Sequence, residues 1–222
     1  MKESVKSFLH GTKQAVLVTT VLLVICGFLF PVLLTGLSSL FFPHQAGGSL
    51  IEVSGQTVGS EHVGQEFTQD YYLWGRPSAY HYNTYVEDKD GNQTYNDGTE
   101  FPGLGSGSNN YAPSNPDLAA RVEEDIQKFL KKNPDVKRED IPTDLLTASG
   151  SGLDPDISPA SAEIQIPRIV KASGLSEEQV RQIITEHTSG KVLGIFGEDH
   201  VNVLEVNIGI AQAMGLISSE AE

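Results

Sequence analysis

Three features of the 222-residue sequence predict an α+β fold made of a single N-terminal transmembrane helix followed by one compact mixed α/β extracytoplasmic domain. The first is a stretch between Lys13 and Glu52 that holds no Asp, Glu, Lys or Arg. The second is an imbalance of 29 acids against 15 bases, net −14, spread unevenly along the chain. The third is the interleaving of helix caps with short strand patterns over most of the chain beyond the apolar run.

The membrane element comes first. Residues 15–34 read AVLVTTVLLVICGFLFPVLL, interrupted only by Thr19, Thr20, Gly27 and Pro31. As a helix, such a run reaches about 30 Å, the thickness of a hydrocarbon core, whereas a signal-peptide apolar region is about 7–15 residues long. Cleavage is the alternative, but no clear small-x-small site follows, and His44-Gln45-Ala46-Gly47 is only a superficial one. The expected organisation is a head at 1–13, a span at 14–42, a hinge at 43–48 and a domain at 49–222. Pro31 is expected to kink the span, and Gly27 offers a flat spot for another helix, so both are candidate partner contacts inside the membrane.

Orientation follows from the flanks. Lys2, Lys6 and Lys13 against Glu3 give the head +2, leaving 28 of the 29 acids and 12 of the 15 bases, net −16, in residues 45–222. The positive-inside rule places the head in the cytoplasm and the domain outside. A domain so acidic lacks the basic face that phosphate neutralisation requires, which excludes nucleic acid as a partner. Cys26, the lone cysteine, closes no intramolecular disulfide.

Within the domain, residues 49–59 alternate as a strand, and Tyr71-Tyr72-Leu73-Trp74 before Gly75-Arg76-Pro77-Ser78 reads as a strand edge ended by a turn, or as a partner surface carried by Trp74 and Arg76. Residues 80–107 turn to Gly, Asn, Tyr and acids. Glu87, Asp88, Asp90, Asp97 and Glu100 face only Lys89 there. Turns at Asp90-Gly91 and Asp97-Gly98 suggest a hairpin. An EF-hand is rejected, because Gln93 and Thr99 stand where that loop needs Gly and Glu.

Ser114-Asn115-Pro116 opens a helix with Leu118, Val122, Ile126 and Phe129/Leu130 on one stripe, stopped at Asn133-Pro134. Residues 147–155 are a dense turn cluster. Gly150-Ser151-Gly152 has the composition of a phosphate cradle, but Asp154-Pro155-Asp156 puts negative charge between the glycines and the next helix, favouring a structural turn. Ser158-Pro159 is expected to start a helix through about Lys171, and Ser176-Glu177-Glu178-Gln179 is a capping box. Residues 192–196 and 201–206 read as two strands, followed by a short helix through 210–216.

Catalytic signatures fail one after another. There is no Gly-x-Ser-x-Gly elbow and no His-Glu-x-x-His pair, and Gly190-Lys191 lacks the rest of a Walker A loop. Thr57-Val58-Gly59-Ser60 lacks the tyrosine and second glycine of a potassium filter.

The string running from Leu145-Leu146-Thr147-Ala148-Ser149-Gly150-Ser151-Gly152 through Leu153-Asp154-Pro155-Asp156-Ile157-Ser158-Pro159 resembles a signature block of KdpC, the C subunit of the bacterial Kdp potassium-transporting ATPase, as does Gly75-Arg76-Pro77-Ser78-Ala79. Val63-Gly64-Gln65 with Phe67, Ser114-Asn115-Pro116-Asp117-Leu118, Gln165-Ile166-Pro167-Arg168 and Val201-Asn202-Val203-Leu204-Glu205-Val206-Asn207 match in the same order, and the likeness covers nearly the whole chain. The chief departure is residues 80–107, an insert longer than the linker typical of the family at that place.

The resemblance implies a non-catalytic subunit working with a potassium-binding A subunit, an ATP-hydrolysing B subunit and a small F subunit, in contact with membrane lipid. ATP and potassium act at the level of that complex, with no cofactor bound directly. The family is described both as a catalytic chaperone that raises the B subunit's ATP affinity, with Gln165 a candidate nucleotide contact, and as an assembly element over the potassium entrance. In the signature blocks Trp74, Arg76, Ser149, Ser151 and Asp154 are candidate interface residues. The rival reading is a free-standing membrane-anchored binding or sensor module. The acids of 80–107 are expected to attract cations.

Overall fold

A computed structural model describes residues 2–218, with only the backbone helix described for residues 2–9, so the side chains of Lys2, Glu3 and Lys6 lie outside the described part. Two compact units result, Met1–Ser49 and Leu50–Glu222.

In the first, α1 (Lys2–Val24) and α2 (Phe30–Phe41) are joined by a π-helical turn at Ile25–Leu29, and α3 (Pro43–Ala46) is a single turn where the hinge is expected. The π-turn has a local cause. Pro31 supplies no N–H, and its ring crowds the turn before it. Widening that turn, so that the Phe30 N–H donates to the Ile25 carbonyl, carries the helix past the proline. The segment His10–Phe41 is long and apolar enough to cross a membrane.

The second unit starts with a hairpin, β1 (Leu50–Val53) and β2 (Gln56–Ser60). Its turn residues Ser54 and Gly55 both take positive φ, 54° and 73°, the twist that suits right-handed strands. The acidic segment contains β3 (Tyr85–Glu87) paired antiparallel with β4 (Gln93–Tyr95), with Gly91 and Gly98 at positive φ in the expected turns.

Next comes α4 (Pro116–Lys132), capped by the Asn115 side chain, which accepts from the Asp117 N–H, with Ile126 and Phe129 buried. Then follow β5 (Asp156–Ile157), α5 (Pro159–Glu163), α6 (Ile166–Ser173), α7 (Glu177–Glu186), β6 (Thr188–Ser189), β7 (His200–Asn202) and α8 (Val203–Ala213). The strands form one small antiparallel sheet in the order β5-β7-β6. Around it, Leu73, Ile157, Ile166, Ile169, Val180, Val201, Val206 and Ile210 make the core, each no more than 3% exposed.

Four expectations are corrected. The helix from Ser158 is two helices, because Pro167 cannot donate to the ladder and α6 restarts with it in the first turn. Residues 71–74 form no strand. Residues 201–206 are strand only through Asn202, whose side chain accepts from the Glu205 N–H at 3.1 Å and so starts α8. Residues 192–196 form a turn closed by a single Val192–Phe196 bridge.

Candidate functional site

Leu73 and Trp74 cross the interior without a strand partner, which leaves buried backbone groups to satisfy. Two side-chain amides satisfy them. Asn207 on α8 accepts from the Leu73 N–H at 2.7 Å and donates to the Leu73 carbonyl at 2.9 Å. Gln165, which precedes α6, accepts from the Trp74 N–H at 2.9 Å and donates to the Trp74 carbonyl at 3.1 Å. Each amide thus plays the part of a neighbouring strand.

The rest of the Gln165 amide is also engaged. Nε2 donates to the Ser161 carbonyl, and Oε1 accepts from Arg168 at 2.6 Å. The side chain has no accessible surface, so as placed it offers a nucleotide no atom. Arg168 extends the network. It donates to Asn133 and to the carbonyls of Asp70 and Tyr72, and its guanidinium lies 4.1 Å from the Trp74 ring centroid. Burial pulls its pKa down to about 10, opposed by the charge of Asp70, so it remains cationic at neutral pH.

A second joint brings residues 75–79 and 147–155 together. Arg76 pairs with Asp154 at 2.7 Å and donates to the Thr147 carbonyl through Nε and Nη2, spanning the 147–155 turn. The turn is held by its own hydroxyls: Ser149 Oγ accepts from the Gly152 N–H at 2.9 Å and Ser151 Oγ from the Leu153 N–H at 3.1 Å. Ser78 Oγ donates to the Gly152 carbonyl at 2.6 Å.

Gly152 sits at φ +67°, and a Cβ there would lie 2.7 Å from the Gly107 carbonyl oxygen. Gly64 is similarly confined, because a Cβ would lie 2.6 Å from the Asp154 carbonyl oxygen. Tyr82 Oη donates to the Arg76 carbonyl at 2.8 Å; burial, then the nearby Asp154 charge, pushes its pKa well up. The serine hydroxyls are therefore committed to the turn, as the structural reading of Gly150-Ser151-Gly152 requires.

Trp74 and Arg76 line a groove of about 510 Å³ together with Phe67, Pro77, Lys128 and Lys132. Of the sequence-selected residues, Trp74, Gln165, Arg76, Asp154, Ser149 and Ser151 fall in these two adjoining joints. Gly27 and Pro31 belong to the other unit, Gly27 inside the π-turn and Pro31 in the first turn of α2.

Glu87, Asp88 and Asp90 are exposed on the β3–β4 hairpin, and Asp97 and Glu100 on the turn that follows β4. Two of them hold these two turns. Asp88 accepts from the Asn92 side chain and from the N–H groups of Asn92 and Asp90, and Asp97 from the hydroxyl and N–H of Thr99, which holds both carboxyls below their usual range. Sequence reasoning missed Asn207, Arg168, Asn133 and Tyr82. The available signals were a lone amide in the apolar Val206-Asn207-Ile208 run and the three-residue spacing that puts Gln165 and Arg168 on one helix face.

Together these features define a class: an α+β body whose loops are pinned by buried side-chain amides, in a chain with one helix fit to span a membrane. A family model described as "K+-transporting ATPase, c chain" matches residues 12–212. A potassium-transporting ATPase KdpC subunit of Clostridium kluyveri is 53% identical over 215 residues, covering 96% of this chain and 99% of the relative. Its namesake in Clostridioides difficile is 57% identical over 210 residues, covering 92% and 98%. One from Bacillus cytotoxicus is 42% identical over 192 residues, covering 86% and 90%. The chain belongs to the KdpC family.

Proposed function

We propose that the chain is the non-catalytic subunit of an ATP-driven, high-affinity potassium uptake complex, working with a potassium-binding A subunit, an ATP-hydrolysing B subunit and a small F subunit. Its span anchors it with the head in the cytoplasm. Its α+β body lies outside, where it holds the complex together and shapes potassium access. The observation that carries this reading is the charge division at the anchor, +2 before it and −16 after it.

Two mechanisms are attached to the family, and the same division bears on both. With the body outside, Gln165 is separated from cytoplasmic ATP by the bilayer, and its amide is already engaged by Trp74, Ser161 and Arg168. Any influence on nucleotide affinity then travels through the assembled subunits as a coupling free energy. The reading at the potassium entrance draws instead on the exposed acidic hairpin. Its carboxylates act by raising the local cation concentration within a screening length of about 8 Å in physiological salt.

The test uses the assembled transporter with Glu87→Gln, Asp88→Asn, Asp90→Asn, Asp97→Asn and Glu100→Gln combined, since Asn keeps an acceptor for each turn. The apparent KM for potassium rises at low ionic strength, and the difference closes at high salt. An unchanged KM refutes the role in access. Co-purification separates the reading from a free-standing sensor: a chain that is stable and unassociated when the A and B subunits are present favours the sensor.

A further inference from the structure

The π-turn at Ile25–Leu29 leaves a backbone acceptor without a donor in the middle of the apolar helix. The Phe30 N–H, which an α-helix would give to the Cys26 carbonyl, goes instead to Ile25. The next N–H along belongs to residue 31, which is proline and has none. Both of the donors that could reach the Cys26 carbonyl, the α-type and the π-type, are therefore gone, and the Gly27 carbonyl loses its α-type donor to the same proline. Side chains of the helix do not replace them. The residues that overhang these carbonyls are Leu29, Phe30, Pro31 and Val32, where a Ser or Thr hydroxyl would be needed. Nothing lies within 4 Å of where a Gly27 Cβ would stand, so the backbone is open to close approach at this turn.

Depth decides what supplies the missing donor. Cys26 stands midway along His10–Phe41, the segment fit to cross a membrane, where water and headgroups do not reach and a polar backbone group must find its partner in protein. Acyl chains carry no donor. A second copy of this chain carries none at that level either: from Val21 to Leu34 the one side-chain donor is the Cys26 thiol, a weak one. Its nearest hydroxyls, Thr20 and Thr35, stand about 9 and 13 Å from that level along the axis. We propose that the π-turn docks a transmembrane helix of a different subunit of the complex, one that brings a serine or threonine hydroxyl to the bilayer midplane and donates it to the Cys26 carbonyl. Glycine beside the carbonyl lets two helix backbones come close, which suits a short donor, and a hydroxyl brings no charge into the hydrocarbon.

This inference rests on the reading above, that the chain works within a complex, and the test separates the two. Because Cys26 is the lone cysteine, growth on cysteine carrying a heavy carbon isotope at its carbonyl labels one carbonyl of this chain, at the turn itself. Infrared spectra are taken of the full chain alone in phosphatidylcholine bilayers and of the complex purified with the A, B and F subunits and placed in the same lipid. From each is subtracted the same preparation carrying Cys26→Ala, which removes the partners' cysteines. The Cys26 amide band should stand at the free-carbonyl position in the lone chain and shift to lower wavenumber in the complex. An unshifted band overturns the inference while leaving the subunit role intact, as does a band already at the lower position in the lone chain; failure of the chain to co-purify overturns the subunit role. Independently, Gly27→Leu meets nothing in its own chain but bars close approach, so it should return the band to the free position and lower retention in the washed complex about threefold. Full retention with the band still shifted contradicts the proposal.

Discussion

Gln165 holds Trp74 at both ends of one residue, accepting from its N–H at 2.9 Å and donating to its carbonyl at 3.1 Å, as an adjacent strand would. The consequence is that Gln165, the candidate nucleotide contact, is a structural member of the core. Replacing it with alanine leaves the Trp74 backbone and one Arg168 donor unsatisfied in the interior. Gln165→Ala should cost about 3 kcal/mol, read as a lowered melting temperature of the detergent-solubilised full chain in the absence of any nucleotide. An unchanged melting temperature contradicts the structural role.

Arg76 makes a different demand, for geometry. One guanidinium reaches both Asp154 and the Thr147 carbonyl, and a lysine ammonium cannot reproduce that planar fork. Arg76→Lys should therefore cost about 1–2 kcal/mol despite the retained charge, measured by denaturant unfolding. Stability equal to the parent would show that charge alone suffices.

Gly152→Ala tests the same joint through the backbone. With φ at +67° and the Gly107 carbonyl 2.7 Å from the new Cβ, strain and clash add, for an expected loss of about 2 kcal/mol or more. The control is Gly150→Ala, where nothing lies within 4 Å of the Cβ and φ is not in the left-handed range. Equal losses at the two glycines contradict the assignment.

How far the sequence carried this picture depends on the range of the interactions. The Asn115 and Ser176 caps, the paired hairpin turns of the acidic segment and the apolar span are all local, set by residues within a few positions of one another. They were legible for that reason. Asn207 with Leu73 and Gln165 with Trp74 join residues more than ninety positions apart, and no periodicity announces them. The same lack of a local signal left a strand edge as one of two readings for residues 71–74: Leu73 is buried as a strand residue would be, but its partner is the Asn207 side chain. Residues 192–196 misled in the opposite way, with strand composition on a turn that faces outward. Of the site, the residue blocks were visible in the sequence, while the hydrogen bonds that make them one structure were not.

Glu123 gives a pH signature. Hydrogen bonds first from Arg138 and then from Gln127 lower its pKa from 4.5 to about 2. A carboxylate depressed in the folded state contributes stability that is complete above its unfolded pKa and lost as pH falls through the folded one. In this chain that window runs from about pH 5 down to about pH 2. In Arg138→Ala, the Glu123 titration, followed by NMR of its side-chain carbon, should move up from about 2 towards 4.5 but stop short of it because Gln127 still donates, and the acid-unfolding midpoint should move to higher pH. A Glu123 titration that does not move contradicts the pairing.

The proposed extracytoplasmic side of the α+β body is the point to test, because only on that side would Gln165 be separated from cytoplasmic ATP and the acidic hairpin meet external potassium. Lys89, exposed between Asp88 and Asp90, is the position to probe. With Cys26→Ser and Lys89→Cys in the full chain, intact cells expressing the complex are treated with a membrane-impermeant maleimide. The account predicts labelling of Lys89→Cys without permeabilisation, to the same extent as after it. Labelling that appears only once the membrane is opened would put the body in the cytoplasm and contradict the account.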